Sequence, residues 1–133
     1  DDSLPNAPRI TWAIRRSTVS MAEAVHASAI RSSTESGRTA RIVARHRPCI
    51  PVLGVTPFAS TARRMQMMWG VVPAQVEAFH HTDEMIQRLV RAANVKEYAH
   101  VGDNIVLTAG IPLEIHGVTN MVKVHTVRED DLP

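Results

Sequence analysis

The sequence predicts an α/β layered sheet, because short apolar runs of strand length alternate with amphipathic runs of helix length. Three strand-like runs stand out, at Ile50 to Val55, Val71 to Val76 and Ile105 to Ala109. Helix-like runs begin near Ser36, Thr56 and Thr82. Strands separated by helices pair in parallel and need crossovers, which are expected to be right-handed. With 133 residues and 44% hydrophobic content, the chain can build one domain with a sizeable core.

Taken in order, Asp1 to Pro8 carries two prolines and reads as a tail. Ile10, Trp12 and Ile14 alternate as in a strand, yet Ile10 and Ile14 also suit a helix face, so residues 1–18 are a tail or an extra strand. Ser20-Met21-Ala22-Glu23 has the form of a capping box, predicting a helix with Ala22, Val25 and Ala29 as its stripe. Little room is then left before Thr34, and Ala29 to Ser33 predicts a short strand with Arg31 where an apolar residue is expected. Ser36 opens a helix running to about His46, with Ala40, Val43 and Ala44 as its buried stripe and Arg38, Arg41 and Arg45 on another face. Pro48 stops it. Ile50 to Val55 follows as a buried parallel strand.

Thr56 at the cap and Pro57 in the first turn open the next helix, with Met65, Met68 and Trp69 as its apolar face and Gly70 at its end. Pro73 places the strand Val71 to Val76 near an edge or makes Pro73 a strand start. Thr82 caps a helix whose Asp83 and Glu84 suit the positive dipole end. Its stripe is Met85, Ile86, Leu89, Val90 and Ala93. Gly102-Asp103 leads into Ile105 to Ala109, Gly110 to Gly117 is a loop, and Met121, Val122 and Val124 form the last strand. Residues 129–133, with Asp130 and Asp131, are a solvated tail.

The stretch with the clearest chemistry is Thr34-Glu35-Ser36-Gly37-Arg38-Thr39. Hydroxyls and a glycine let backbone approach a ligand, and a helix start presents N–H groups with partial positive charge. Arg38 adds a guanidinium fork suited to phosphate. The commoner use of such a turn is plainer: Ser36 caps the helix and Gly37 relieves the bend.

From Thr34-Glu35-Ser36-Gly37-Arg38-Thr39-Ala40-Arg41 onward the chain resembles the C-terminal domain of pyruvate kinase. The likeness continues through Arg47-Pro48, Pro51-Val52-Leu53-Gly54-Val55-Thr56, Thr61-Ala62-Arg63-Arg64, Trp69-Gly70-Val71-Val72-Pro73 and Thr82-Asp83-Glu84-Met85-Ile86. It closes with Gly102-Asp103, Thr108-Ala109-Gly110-Ile111-Pro112 and Gly117 to Val124. Their order is kept over most of the span from Met21 to Val127.

The resemblance implies a three-layer α/β/α fold on a mixed sheet of about five strands, with the last strand antiparallel and residues 19–128 as the domain. It also implies a regulatory and oligomerisation role within glycolytic phosphoryl transfer from phosphoenolpyruvate to ADP, in the cytoplasm. The catalytic groups, with magnesium and usually potassium, belong to a separate barrel that this chain does not resemble; no cofactor and no turnover are therefore expected here. The expected partners are that barrel, further copies of the chain and a phosphorylated effector. Carried over by residue, the effector's phosphate falls on Thr34, Ser36, Gly37, Arg38 and Thr39, and a facing loop falls on Gly110, Glu114, His116 and Gly117. Gln87 aligns with the group that grips a second phosphate, with Arg88 and Arg91 nearby. Together with the acidic Glu35 and Glu114, this favours a sugar monophosphate or AMP over a bisphosphate. A stand-alone anion- or nucleotide-binding module, or a degenerate copy suggested by the short span before Thr34, are the alternatives.

Other features argue for less. His80-His81 lacks a third metal ligand nearby and suits the surface. Cys49 cannot form an internal disulfide, fits a reducing cytoplasm and has no activating neighbour, so a buried structural thiol is expected. Met65, Met67, Met68 and Trp69 suit a core or a subunit interface. Arg38, Arg41, Arg45 and Arg47 lack interleaved aromatics, and the net charge of +2 is mild, so no nucleic-acid partner is expected. No apolar run approaches the roughly 20 residues of a membrane helix, and the acidic N-terminal stretch is unlike a signal peptide.

Overall fold

Apolar strands gather into one sheet in this computed structural model, which describes residues 7–46, 49–92, 99–109 and 120–132. β1 (Ala29–Ser33), β2 (Val52–Thr56), β3 (Val71–Gln75) and β4 (Asn104–Ala109) run parallel. β5 (Met121–Thr126) pairs antiparallel with β4, and the order across the sheet is β3-β2-β1-β4-β5. Every residue of β2 is buried, as in a strand covered on both faces. Pro73 lies in β3, an edge strand, where a sheet tolerates proline.

Among the described residues, four helices cover the sheet: α1 (Ala7–Ala24), α2 (Arg38–Arg45), α3 (Ala59–Met65) and α4 (Thr82–Arg91). Alternation along each strand divides the core in two. On one face, Val19 and Ala22 of α1, Ala40 and Val43 of α2 and Met65 of α3 pack on Ile30, Val52 and Val106. On the other, Met85, Leu89 and Val90 of α4 pack on Leu53, Val55, Ile105 and Leu107. The result is the three-layer α/β/α arrangement on a mixed sheet that the sequence led us to expect. Among the described residues no helix is long and apolar enough to cross a membrane.

Several element boundaries differ from the sequence reading. Residues 7–18 are neither tail nor strand, because α1 runs from Ala7 straight through Ser20 to Ala24. Ser20 and Glu23 are exposed positions within it, and Ala29 belongs to β1 instead of a helix stripe. The span before Thr34 therefore holds both an 18-residue helix, which starts well before Ser20, and the strand β1. α2 starts at Arg38, two residues after Ser36, because Gly37 adopts a left-handed conformation with φ 89° that no helix continues. Thr56 ends β2, and its hydroxyl accepts the Phe58 N–H in a local turn, which delays α3 to Ala59. Trp69 lies beyond α3 and is 71% exposed, so only Met65 of the expected apolar face is fully buried. His81, not Thr82, occupies the cap position of α4, while the Glu84 carboxylate accepts the His80 N–H.

Two buried charged groups find partners that the sequence does not name. Arg31 occupies the middle of β1 at 4% exposure. Its Nη1 donates to the carbonyls of Leu89 (3.0 Å) and Val90 (2.6 Å), at the C-terminal end of α4. Those carbonyls lack helical partners and carry the negative end of the helix dipole, so the guanidinium is neutralised where an apolar side chain would leave them bare. Asp131, expected in solvent, is buried in a 3-10 turn (Glu129–Asp131) and lies 2.8 Å from His125 Nε2. That contact, and then the Arg128 N–H, hold its carboxyl below the usual aspartate range. Arg91 donates to the Asp130 carbonyl and ties the same turn to α4.

Candidate functional site

β1 continues through α2 to β2 on one side, while β4 lies against its other side. Chain direction across the sheet thus reverses at β1, and strand ends at such a reversal open a crevice. The turn Thr34 to Gly37 stands at that carboxyl end. Thr34 N–H extends the sheet pairing by donating to Val55 (2.9 Å). The chain then bends through Gly37, whose N–H donates to Thr34 Oγ1 (2.8 Å), and the Arg38 N–H donates to Ser36 Oγ (3.3 Å).

Helix α3 supports the turn from behind. The Thr61 hydroxyl, 1% exposed, donates to the Glu35 carbonyl, and Arg64 Nη2 donates to the same hydroxyl at 3.2 Å. A Cβ added to Gly37 would lie 3.0 Å from Met65 Cγ and 3.1 Å from Met68 Cε. Glycine is thus required twice over, by the positive φ and by the close approach. The Met65 sulfur also fills the space over Gly54 of β2, where a Cβ would collide with it.

The sequence-derived site residues divide accordingly. Thr34 and Gly37 are buried and form the bend, Thr39 is half-buried, and Ser36 and Arg38 point to solvent. Ser36 does not cap α2 as expected: Gly37 holds the cap position with no side-chain cap bond, and the Thr34 and Ser36 hydroxyls instead accept two amides within the turn. A hydroxyl that accepts an N–H still has its own O–H to donate, so these bonds leave ligand contact open. Gly110, Glu114, His116 and Gly117 lie outside the described residues. Arg88 is engaged with the Glu77 carbonyl (3.3 Å) and Gln87, and Arg91 with Asp130. Thr61 entered the sequence analysis only within the family likeness, not as a site residue; its local signal is a hydroxyl one helical turn before Met65 on the inward stripe of α3.

The remaining candidates stay at the surface. His80 and His81 are exposed, and among the described residues no three His, Cys, Asp or Glu side chains gather as a metal site. Cys49 is exposed, contrary to the expected buried thiol, because it precedes β2 in the turn after α2. Met67 is 90% exposed, which removes it from the core. Arg41 and Arg45 line the solvated face of α2.

Strand order, helix placement and the glycine bend define a doubly wound α/β domain with its principal loop at the switch point. The chain belongs to the pyruvate kinase alpha/beta domain family, whose model matches residues 12–125. It is 43% identical to the pyruvate kinase of Clostridium acetobutylicum over 83% of this chain and 23% of that protein. Against pyruvate kinase 2 of Synechocystis it is 36% identical over 95% of this chain and 20% of the relative. For the Geobacillus stearothermophilus pyruvate kinase the figures are 37%, 90% and 20%. The chain thus spans at most about a quarter of the curated relatives' length in these matches.

Proposed function

We propose that this domain is the regulatory and assembly part of a cytoplasmic glycolytic pyruvate kinase and binds a phosphorylated effector at Thr34 to Thr39. The supporting observation is the bend itself: a positive-φ glycine, two hydroxyls and a helix start at the switch point, backed by α3. Such a turn offers O–H and N–H donors and the positive end of α2 to an anion, with Arg38 at its rim. Phosphoryl transfer between phosphoenolpyruvate and ADP, with its metal ions, belongs to the barrel, so the chain alone forms no pyruvate. The Glu35 carboxylate opposes a second negative group by about 1 kcal/mol or more at surface dielectric. A sugar monophosphate or AMP therefore fits better than a bisphosphate.

Calorimetric titration of the chain with glucose 6-phosphate and AMP tests the reading. Binding that weakens about tenfold in Arg38→Ala supports it, the loss expected for one charge-assisted contact. Heat from neither ligand refutes effector binding. Mixing the chain with a barrel-domain polypeptide and following pyruvate formation tests the assembly role; binding without any change in turnover favours a stand-alone anion-binding module.

A further inference from the structure

A second arginine approaches the same turn from α1. The turn joining α1 to β1 is short, and Val19 and Ala22 share a core cluster with Ile30, so α1 runs back along β1. Its inward stripe continues from Ala22 through Val19 and Thr18 to the half-buried Arg15 and to Thr11 at helical spacing. Arg15 lies about 10 Å along the axis from Ala22, and Thr34 about 13 Å along the strand from Ile30. The stripe therefore reaches the carboxyl end of β1 as it turns from apolar to polar.

What lies there lacks polar partners. Arg15 Nε is buried without a hydrogen-bond partner. Ser32, fully buried and on the same face of β1 as Ile30, has a hydroxyl with none either. Burial, and secondarily the Arg38 charge, push the Arg15 guanidinium below its ordinary value. Among the described residues no carboxylate pairs with Arg15 or Arg38. Two cations close enough to feel each other's charge, one half-withdrawn from water and neither ion-paired among the described residues, are costly unless an anion joins them.

We propose that Arg15 and Arg38 form a two-guanidinium clamp that shares one phosphate group at the Thr34 to Thr39 turn. This rests on the effector reading above and deepens it: the preferred ligand carries a dianionic phosphate monoester, and α1 supplies part of the site. Guanidinium forks on two sides match the oxygens of a terminal phosphate, whereas a diester offers a single charge.

The test uses the whole chain and inorganic phosphate, comparing wild type, Arg15→Met and Arg38→Ala by calorimetry and by melting in phosphate-free, low-salt buffer. Arg15→Met keeps the stem's packing and removes the charge. The expected results are phosphate affinity at least about tenfold weaker in Arg15→Met and a higher melting temperature without phosphate, because an uncompensated cation is gone. Affinity unchanged in Arg15→Met but weakened in Arg38→Ala overturns the clamp and leaves the effector reading standing. No phosphate binding by wild type at millimolar concentration defeats both. A lower melting temperature for Arg15→Met without phosphate marks Arg15 as a structural strut and also overturns the clamp.

Discussion

Arg31 is buried and Arg15 half-buried, on opposite faces of the same sheet, and their surroundings differ. Arg31 is seated on the terminal carbonyls of α4, so its charge and the helix end satisfy each other. Arg15 feels the like charge of Arg38, and its buried Nε has no partner. The difference separates a buried charge that holds the fold from one that, in the clamp proposed above, takes its partner from outside the chain. Burial alone distinguishes neither; the identity of the neighbouring groups does.

The comparison breaks most visibly at Arg31. Arg31→Ala is expected to cost about 3 kcal/mol in urea unfolding, since it removes two charge-assisted bonds and bares the end of α4. If stability is unchanged, Arg31 is no more structural than Arg15. Next comes Gly37→Ala, which must hold a left-handed conformation against Met65 and Met68. A loss of about 1–2 kcal/mol is expected, together with weaker phosphate binding. Loss of binding without loss of stability would mean that the bend serves ligand alone.

The smallest effect concerns Asp131, a third buried charge and, like Arg31, a partnered one. Its folded-state pKa lies below the unfolded value. It therefore stabilises the fold at neutral pH, and that contribution fades as pH falls from the ordinary aspartate value of about 3.9 through the lower folded one. Asp131→Asn should lower the melting temperature slightly at pH 7 and flatten its decline below about pH 4. An unaltered acid profile would place the acid sensitivity elsewhere.

The sheet was legible in the sequence because its strands and α2 and α4 follow simple periods, and Pro73 marked an edge. α1 was not, for a reason tied to the comparison above. Its inward stripe carries Thr11, Arg15 and Thr18, so the apolar period that announces a helix is interrupted where the helix nears the turn. Ser20 and Glu23, exposed on its outer side, imitate a helix start. Arg31 was noticed as misplaced, but its partners come from α4, far along the chain, and no local pattern names them. At the turn, the glycine, hydroxyls and Arg38 were readable from spacing. The support from Thr61 and the approach of Arg15 depend on helices folding back over β1.

The wedge formed by Met65 has an evolutionary consequence. One thioether fills the hollows above two glycines, Gly37 in the turn and Gly54 in a central strand. The three positions are coupled: a larger residue at either glycine requires Met65 to shift or shrink, which in turn opens the hollow over the other. Such epistasis makes the shape of the bend heritable as a unit, held by a side chain that never touches solvent.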